Sequence, residues 1–360
     1  MLGVYLHIPY CMSKCKYCDF YSAGRKSAVP DAYLRALVRE YAMQKAQYAC
    51  GAPDTLYFGG GTPSLLTAAQ VCELIDAVNP REGAEITLEA NPETVSAQSL
   101  SAYRAAGVNR ISFGVQTAFD ASLARLARSH SAQVAERALE LACQAGFTNI
   151  SGDIMLALPH YSLQEVDATL RLLAEGGCTH ISSYLLKIEP NTAFGKRPPE
   201  GLPTEDEAAD YYLYAVEALA KLGYAQYEIS NFAKPGFESR HNLLYWHGEN
   251  YLGIGPAAHS CMEGKRFFYP ADTAAFIAGD ARTIADGEYS KEDAAMLALR
   301  LCEGLDVRNY NNCYNCNFLQ GQQAFVQKLC SEGFAQYDKN TLRLTPKGML
   351  MQNSILAQLL

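Results

Sequence analysis

An α/β fold is predicted, a partial (β/α)6 barrel followed by a small C-terminal α+β unit, and three observations predict it. Short apolar, β-rich runs alternate with helical-period stretches through the first half of the chain. Those runs are apolar almost throughout rather than alternating in polarity, the pattern of parallel strands covered on both faces. Beyond residue 188 the rhythm breaks, and beyond about residue 290 helices give way to a hairpin pattern.

The first strand is VYLHI at 4–8, followed by TLYF at 55–58, EITLEA at 85–90, RISFGVQ at 110–116, NISGDIMLAL at 149–158 and HISSYLL at 180–186. Helical stretches at 31–48, 67–78, 96–106, 131–145 and 162–175 separate them,. Six such units suit a partial barrel of TIM type better than a two-sided open sheet, which periodicity alone leaves open. EPNTAFGKRPPEGLP is a Pro- and Gly-rich connection to a helix over 204–222,. Toward the end, two helices precede GFAQYDKNTLRLTPKG, whose two runs flank DKN as a hairpin, and a helix closes at Leu360,. The order resembles a winged helix, but with few basic residues on the wing a docking or lid role fits better than DNA binding. The expected divisions are a barrel core at 1–188, an extension at 189–289 and a C-terminal unit at 290–360.

Composition narrows the function. The chain has 360 residues, 49% hydrophobic and 19% charged, enough to bury a large core,. A formal charge of -8 argues against nucleic-acid or anionic-membrane partners, which favour a basic face,. MLGVYLHIPYC has no basic stretch leading into a long apolar one, and no long apolar run follows, so a cytoplasmic protein without an integral membrane segment is expected,. Twelve cysteines in that setting read as metal ligands plus scattered thiols,. Cys50, Cys72, Cys143, Cys178, Cys302 and Cys330 read as packing residues.

Cys11, Cys15 and Cys18 stand out, three thiols within eight residues just after the first strand. Each can ligate one iron of a cubane and leave the fourth iron open to a small molecule. The alternative is structural zinc, which wants four ligands; His7 is the sole nearby candidate for a fourth. Gly59, Gly60 and Gly61, followed by Thr62-Pro63-Ser64, remove three β-carbons at the end of the second strand and would expose backbone to a ligand. The run lacks the Lys-Ser/Thr of a P-loop and the spacing of a dinucleotide fingerprint. It suits an amino-acid ammonium group better, although a mere tight turn is also open.

YLHIPYCMSKCKYCDF, GGGTPS, LEANPE, RISFGVQ and GDIMLALP together resemble the HemN/HemW branch of the radical S-adenosylmethionine (SAM) superfamily, over nearly the whole chain. The resemblance implies a radical SAM barrel and a [4Fe–4S] cluster that cleaves SAM to methionine and a 5′-deoxyadenosyl radical, with an electron donor such as a flavodoxin or ferredoxin. It implies that Tyr5, Tyr17, Gly60 and Glu89 contact cluster-bound SAM. Gly61, Thr62, Gln116, Arg128 and Asp153 match positions around a second SAM-sized site. Helix capping or ordinary packing would explain each of these singly.

Coproporphyrinogen dehydrogenases of the branch carry a further cysteine two residues after the third ligand, where this chain has Phe20, which puts that activity in doubt. His241-Asn242-Leu243-Leu244-Tyr245-Trp246 resembles the HNxxYW element of the HemW branch, whose members bind haem and pass it to apo-haemoprotein acceptors. His241, with His247 as the alternative, would ligate the iron, and Tyr245 and Trp246 would face the macrocycle. The same segment could simply close the barrel mouth, and a porphyrinogen-oxidising or two-SAM methyl-transferring enzyme stays open. His259 matches a position that the resemblance places near cluster-bound SAM, but reads better as a hydrogen-bonded core residue. Cys313 and Cys316 form a CxxC without a second pair.

Overall fold

The structure is a computed structural model and describes residues 1–24 and 27–360. Six parallel strands lie side by side in chain order: β1 (Leu2–Ile8), β2 (Thr55–Gly60), β3 (Glu85–Ala90), β4 (Arg110–Gln116), β5 (Asn149–Leu156) and β6 (His180–Leu185). Val4, Leu6 and Ile8 of β1 are buried, as are Leu56 and Phe58 of β2. Helices Asp31–Gln47, Ala68–Val78, Ala97–Ala105, Ala132–Gln144 and Leu163–Glu175 cover the strands within about two residues of expectation. Four begin where a hydroxyl oxygen accepts the amide three residues on, from Thr67, Ser96, Ser131 and Ser162. Each such cap stabilises its helix by about 1 kcal/mol.

The sheet extends beyond these six strands. At the β6 edge it continues antiparallel through β8 (Asn231–Ala233) to β7 (Ala225–Gln226). At the β1 edge, β9 (Asn250–Ile254) pairs parallel with β1, and β10 (His259–Met262), β11 (Lys265–Phe268) and β12 (Ile284–Glu288) follow antiparallel. The strand order is therefore linear, twelve strands among the described residues, with β1 and β6 each flanked by an added strand. The helix Arg240–Trp246 carries the chain from one edge of the sheet to the other. The expected 204–222 helix is Glu205–Lys221, and the connection before it contains a short helix, Ala193–Lys196.

A second hydrophobic cluster, separate from the sheet's, gathers Leu299, Val307, Val326, Leu342 and Ile355. It lies among helices Lys291–Ala298, Val307–Tyr314 and Gln323–Ser331 and the strands β13 (Leu305–Asp306), β14 (Ala335–Asp338) and β15 (Thr341–Leu344), ordered β13-β15-β14. The hairpin turns at Lys339 and Asn340, both with positive φ, the tight turn whose twist matches paired strands,. The closing helix is split into Pro346–Leu350 and Gln352–Leu359. This unit is winged-helix-like. Among the described residues, no helix is long and apolar enough to cross a membrane. Cys72 and Cys143, expected to be packing residues, are exposed.

Candidate functional site

Two cavities adjoin the loop that follows β1. The first, about 380 Å³, opens at the carboxyl ends of the parallel strands and is lined by Cys11, Cys15 and Cys18. Tyr17, Gly60, Gly61, Thr62 and Glu89 also reach it, as do Gln116, Arg128 and Asp153. Residues that the resemblance divides between two SAM positions thus share one cavity.

The cysteine loop is held in place by contacts that local sequence does not announce. Lys16 N–H donates to the Leu126 carbonyl at 3.1 Å, and Phe194 N–H donates to the Lys16 carbonyl at 2.9 Å. The first acceptor ends helix Asp120–Leu126 and the second donor lies in Ala193–Lys196, two short helices absent from the sequence expectation. Arg128 reaches over the loop: Nη2 donates to the Gly114 carbonyl at 2.7 Å and to Asn91 Oδ1 at 2.9 Å, and Nη1 lies 3.5 Å from Cys15 Sγ. Its buried Nε has no hydrogen-bond partner among the described residues. Arg128 is therefore committed to the loop and the strand ends through three of its five donors,.

The glycine run works differently from the expectation. A β-carbon at Gly59 would lie 2.6 Å from the Tyr5 ring, one at Gly60 2.7 Å from the His7 ring, and one at Gly61 2.7 Å from the Tyr10 carbonyl and 2.9 Å from Cys11 Sγ. The run chiefly lets the protein's own β1 side chains and cysteine loop come close, and Gly60 also needs its φ of 111°,. Its amide donates to Glu89 Oε2 at 3.2 Å, and Tyr57 Oη donates to Glu89 Oε1 at 2.8 Å. Burial pushes the Glu89 carboxyl up to about 7, a shift those two hydrogen bonds limit. Asp153 is likewise raised by burial, against Ser182, Arg110, Ser112 and Arg128. Gln116 sits at a break in the β4–β5 register with a φ of 70°, strained for a side chain this size, and it turns into the cavity,.

Burial raises the Cys11 thiol and pushes Cys18 up to about 11. Both are protonated at neutral pH, so binding iron would displace their protons. Among the described residues no three His, Cys, Asp or Glu side chains close on a single ion. Three thiols ringing one cavity suit a cubane with an open iron, whose ligated irons are spread over several ångströms.

The second cavity, about 590 Å³, lies on the other side of the loop, under the β9–β12 edge. Tyr245, Trp246, Tyr251 and Tyr289 give it aromatic walls; Met296 and Leu297 come from helix Lys291–Ala298. Asp19 and Phe20 line both cavities, and the Phe20 ring is largely exposed. Tyr5 faces this cavity rather than the first, with its hydroxyl 3.1 Å from His7 Nδ1, because its ring packs under Gly59.

His241 does not reach either cavity. It is 1% exposed, with Nδ1 2.6 Å from Thr55 Oγ1 and Nε2 2.7 Å from Tyr245 Oη. Its ring stacks on Tyr57 at 4.9 Å. Burial lowers its pKa to about 3, so it stays neutral. For His241 to ligate iron, as expected from the sequence, one of these two hydrogen bonds would have to be given up. His247 is also engaged, Nε2 lying 2.6 Å from Glu303 Oε1. His259, expected in the core, is exposed and lines the second cavity. The Cys313 and Cys316 thiols each face an asparagine oxygen, Asn309 and Asn311.

Sequence reasoning missed Asn91, Ser112 and Tyr184 in the first cavity and Tyr251, Arg266, Tyr289 and Met296 in the second. Asn91 was within reach, since it stands in the LEANPE motif two residues past Glu89. The second set comes together only through pairing of distant segments.

Residues 5–173 match the Radical SAM superfamily. The chain is 46% identical to the heme chaperone HemW of Escherichia coli (strain K12) over 264 residues, 72% of this chain and 69% of that one. It is 34% identical to the heme chaperone HemW of Lactococcus lactis over 373 residues, covering 99% and 97%, and 33% identical to that of Bacillus subtilis, covering 99% and 98%. Among solved structures, coproporphyrinogen III oxidase (HemN) from Escherichia coli superposes with a TM-score of 0.85 at 22% identity, covering 99% of this chain and 89% of that one, and so shares the fold.

Proposed function

From a chain that belongs to the radical SAM superfamily and, within it, to the heme chaperone HemW family, we propose a protein that holds a [4Fe–4S] cluster and SAM in the first cavity, binds haem in the second and hands it to an apo-haemoprotein. The observation that carries this reading is the pair of cavities itself. One is thiol-lined, with Glu89, Arg128 and Asp153 in its wall, and set at strand ends; the other is larger and aromatic; and one loop borders both.

Cys11, Cys15 and Cys18 would hold the cluster, which when bound supplies an electron to the sulfonium of SAM. Glu89, with Tyr57 and the Gly60 amide fixing its oxygens, is placed to accept from the amino or ribose groups of SAM. Arg128 and Asn91 hold the loop and the strand ends together around the ligand. Tyr245 and Trp246 offer flat apolar faces for the macrocycle. Cluster reduction would draw on an electron donor of the flavodoxin or ferredoxin kind.

The test is metal, sulfide and haem content of full-length protein purified and reconstituted without oxygen, followed by titration with hemin. About four irons and four sulfides per chain, with a saturable Soret shift, support the reading. Cluster without any hemin binding would overturn the chaperone half and favour a radical enzyme.

A further inference from the structure

We propose that His259 is the axial ligand to haem iron in the second cavity, oriented by Asp286; this rests on the haem-binding reading above and assigns its coordinating residue.

The seven histidines sort by what their nitrogens already do. His7, His130, His180 and His241 are buried, and each has both ring nitrogens engaged. His247 is tied to Glu303. His160 stands in an exposed turn against Gly201. Of the two histidines that line the aromatic cavity, His7 and His259, only His259 has ring nitrogens without a hydrogen-bond partner among the described residues. Its Nδ1 lies 3.7 Å from Asp286 Oδ2. Iron-ligating imidazoles donate the other ring N–H to a carboxylate, a backbone carbonyl or water, which fixes the tautomer and strengthens the donor. Asp286 is the carboxylate within reach of Nδ1, though beyond hydrogen-bond length. Nε2 is thereby left for the metal.

The surroundings suit a haem rather than a bare ion. His259 opens β10, and its ring stacks on Phe268 of the paired strand at 5.0 Å, so the side chain is braced although 58% exposed. The walls are aromatic, and the volume falls within the ~300–1,000 Å³ of small-molecule sites,. Arg266, held by Asp293 Oδ1 at 3.3 Å and by the Asp286 carbonyl at 3.3 Å, adds a cation at the wall for a propionate. Asp286 thus braces Arg266 with its carbonyl and faces His259 with its carboxylate. Trp246 Nε1 is buried without a hydrogen-bond partner among the described residues.

The experiment is hemin binding to cluster-reconstituted, full-length protein, followed in the Soret band and, in the ferrous form, by the iron–imidazole stretch in resonance Raman. His259→Ala should lose that stretch and bind hemin at least about tenfold more weakly, whereas His241→Ala should keep it. His259→Gly with added imidazole should regain it, which separates a lost ligand from a disturbed fold. Asp286→Asn should keep the stretch at shifted frequency and weaken binding by about tenfold or less. An unchanged stretch in His259→Ala, or its loss in His241→Ala alone, overturns the assignment while leaving haem binding intact. Parent protein that binds no hemin overturns the reading beneath it.

Discussion

The thiol-lined cavity and the aromatic cavity share Asp19 and Phe20, yet the chain builds them in opposite ways. Each side of the first is a strand end with its own motif: the cysteines after β1, the glycines closing β2, Glu89 in β3, Gln116 closing β4, Asp153 in β5. Parallel strands in chain order bring five local motifs to one rim, and only the cysteine loop needs distant contacts, from Leu126, Arg128 and Phe194, to hold it there,. The second cavity draws on β1, on helix Arg240–Trp246, on β9 to β11 and on helix Lys291–Ala298, and forms only once β9 has paired with β1. The first cavity should therefore survive damage to the C-terminal unit, and the second should not.

The largest expected effect tests whether the two are separable. Replacing Cys11, Cys15 and Cys18 together by Ala should reduce iron and sulfide from about four each to none, with circular dichroism and hemin affinity unchanged. Hemin affinity falling along with the iron would show that the aromatic cavity depends on the cluster loop, and the contrast would collapse.

A second variant attacks from the other side. Arg300, in the segment that joins the C-terminal unit, lies over the Trp246 ring at 4.2 Å and 2.6 Å from Glu228, whose side chain is wholly buried. Arg300→Ala would strand that carboxylate, which burial already pushes toward its neutral form. The cost should be about 2–3 kcal/mol, below that of a fully buried pair because Arg300 is 25% exposed,. Denaturant unfolding should show the loss. Hemin binding should weaken while iron content holds, and a selective loss of iron would invert the comparison.

His241 joins the two cavities. Tyr57, hydrogen-bonded to Glu89 in the first, stacks on His241, which bonds Tyr245 in the wall of the second. Removing the imidazole in His241→Ala leaves Thr55 Oγ1 and Tyr245 Oη without that partner and should cost about 1–3 kcal/mol of stability,. Hemin affinity should fall several-fold at most. A drop as large as that expected for His259→Ala would make His241 more than a brace.

What could be read in advance follows the same division. The six strands, their helices and the thiol-lined rim were legible because each depends on short-range pattern: an apolar run, a hydroxyl before a helix, three cysteines in one loop. The directions of the Tyr5 and His241 side chains were not legible, because a motif names residues without saying which way a side chain turns. Tyr5 turns under Gly59, and His241 turns inward to Thr55 and Tyr245, its helix anchored by the Arg240 and His241 amides on the Glu85 carboxylate. Glu85 lies 156 positions away from His241, and nothing near the motif marks it. The His259 setting escaped for the same reason, since Asp286 and Phe268 reach it only through strands that pair at the sheet's edge.

The smallest expected effect belongs to the first cavity alone. Glu89, raised by burial to about 7, is half neutral at neutral pH before any ligand arrives. A cationic amino group beside it favours the carboxylate, so SAM binding should release a proton near pH 7. Affinity should be full above about pH 8 and fall by up to about tenfold per unit as pH drops through 7, the limit for one linked proton. Calorimetry of SAM binding to the reconstituted protein, repeated in buffers of different ionisation enthalpy, counts that proton, and Glu89→Gln should bind more weakly with the pH dependence gone. A flat profile in the parent would place the SAM ribose, rather than its amino group, against Glu89. Hemin affinity should not follow this profile, because the second cavity meets Glu89 only through the neutral pair Tyr57 and His241.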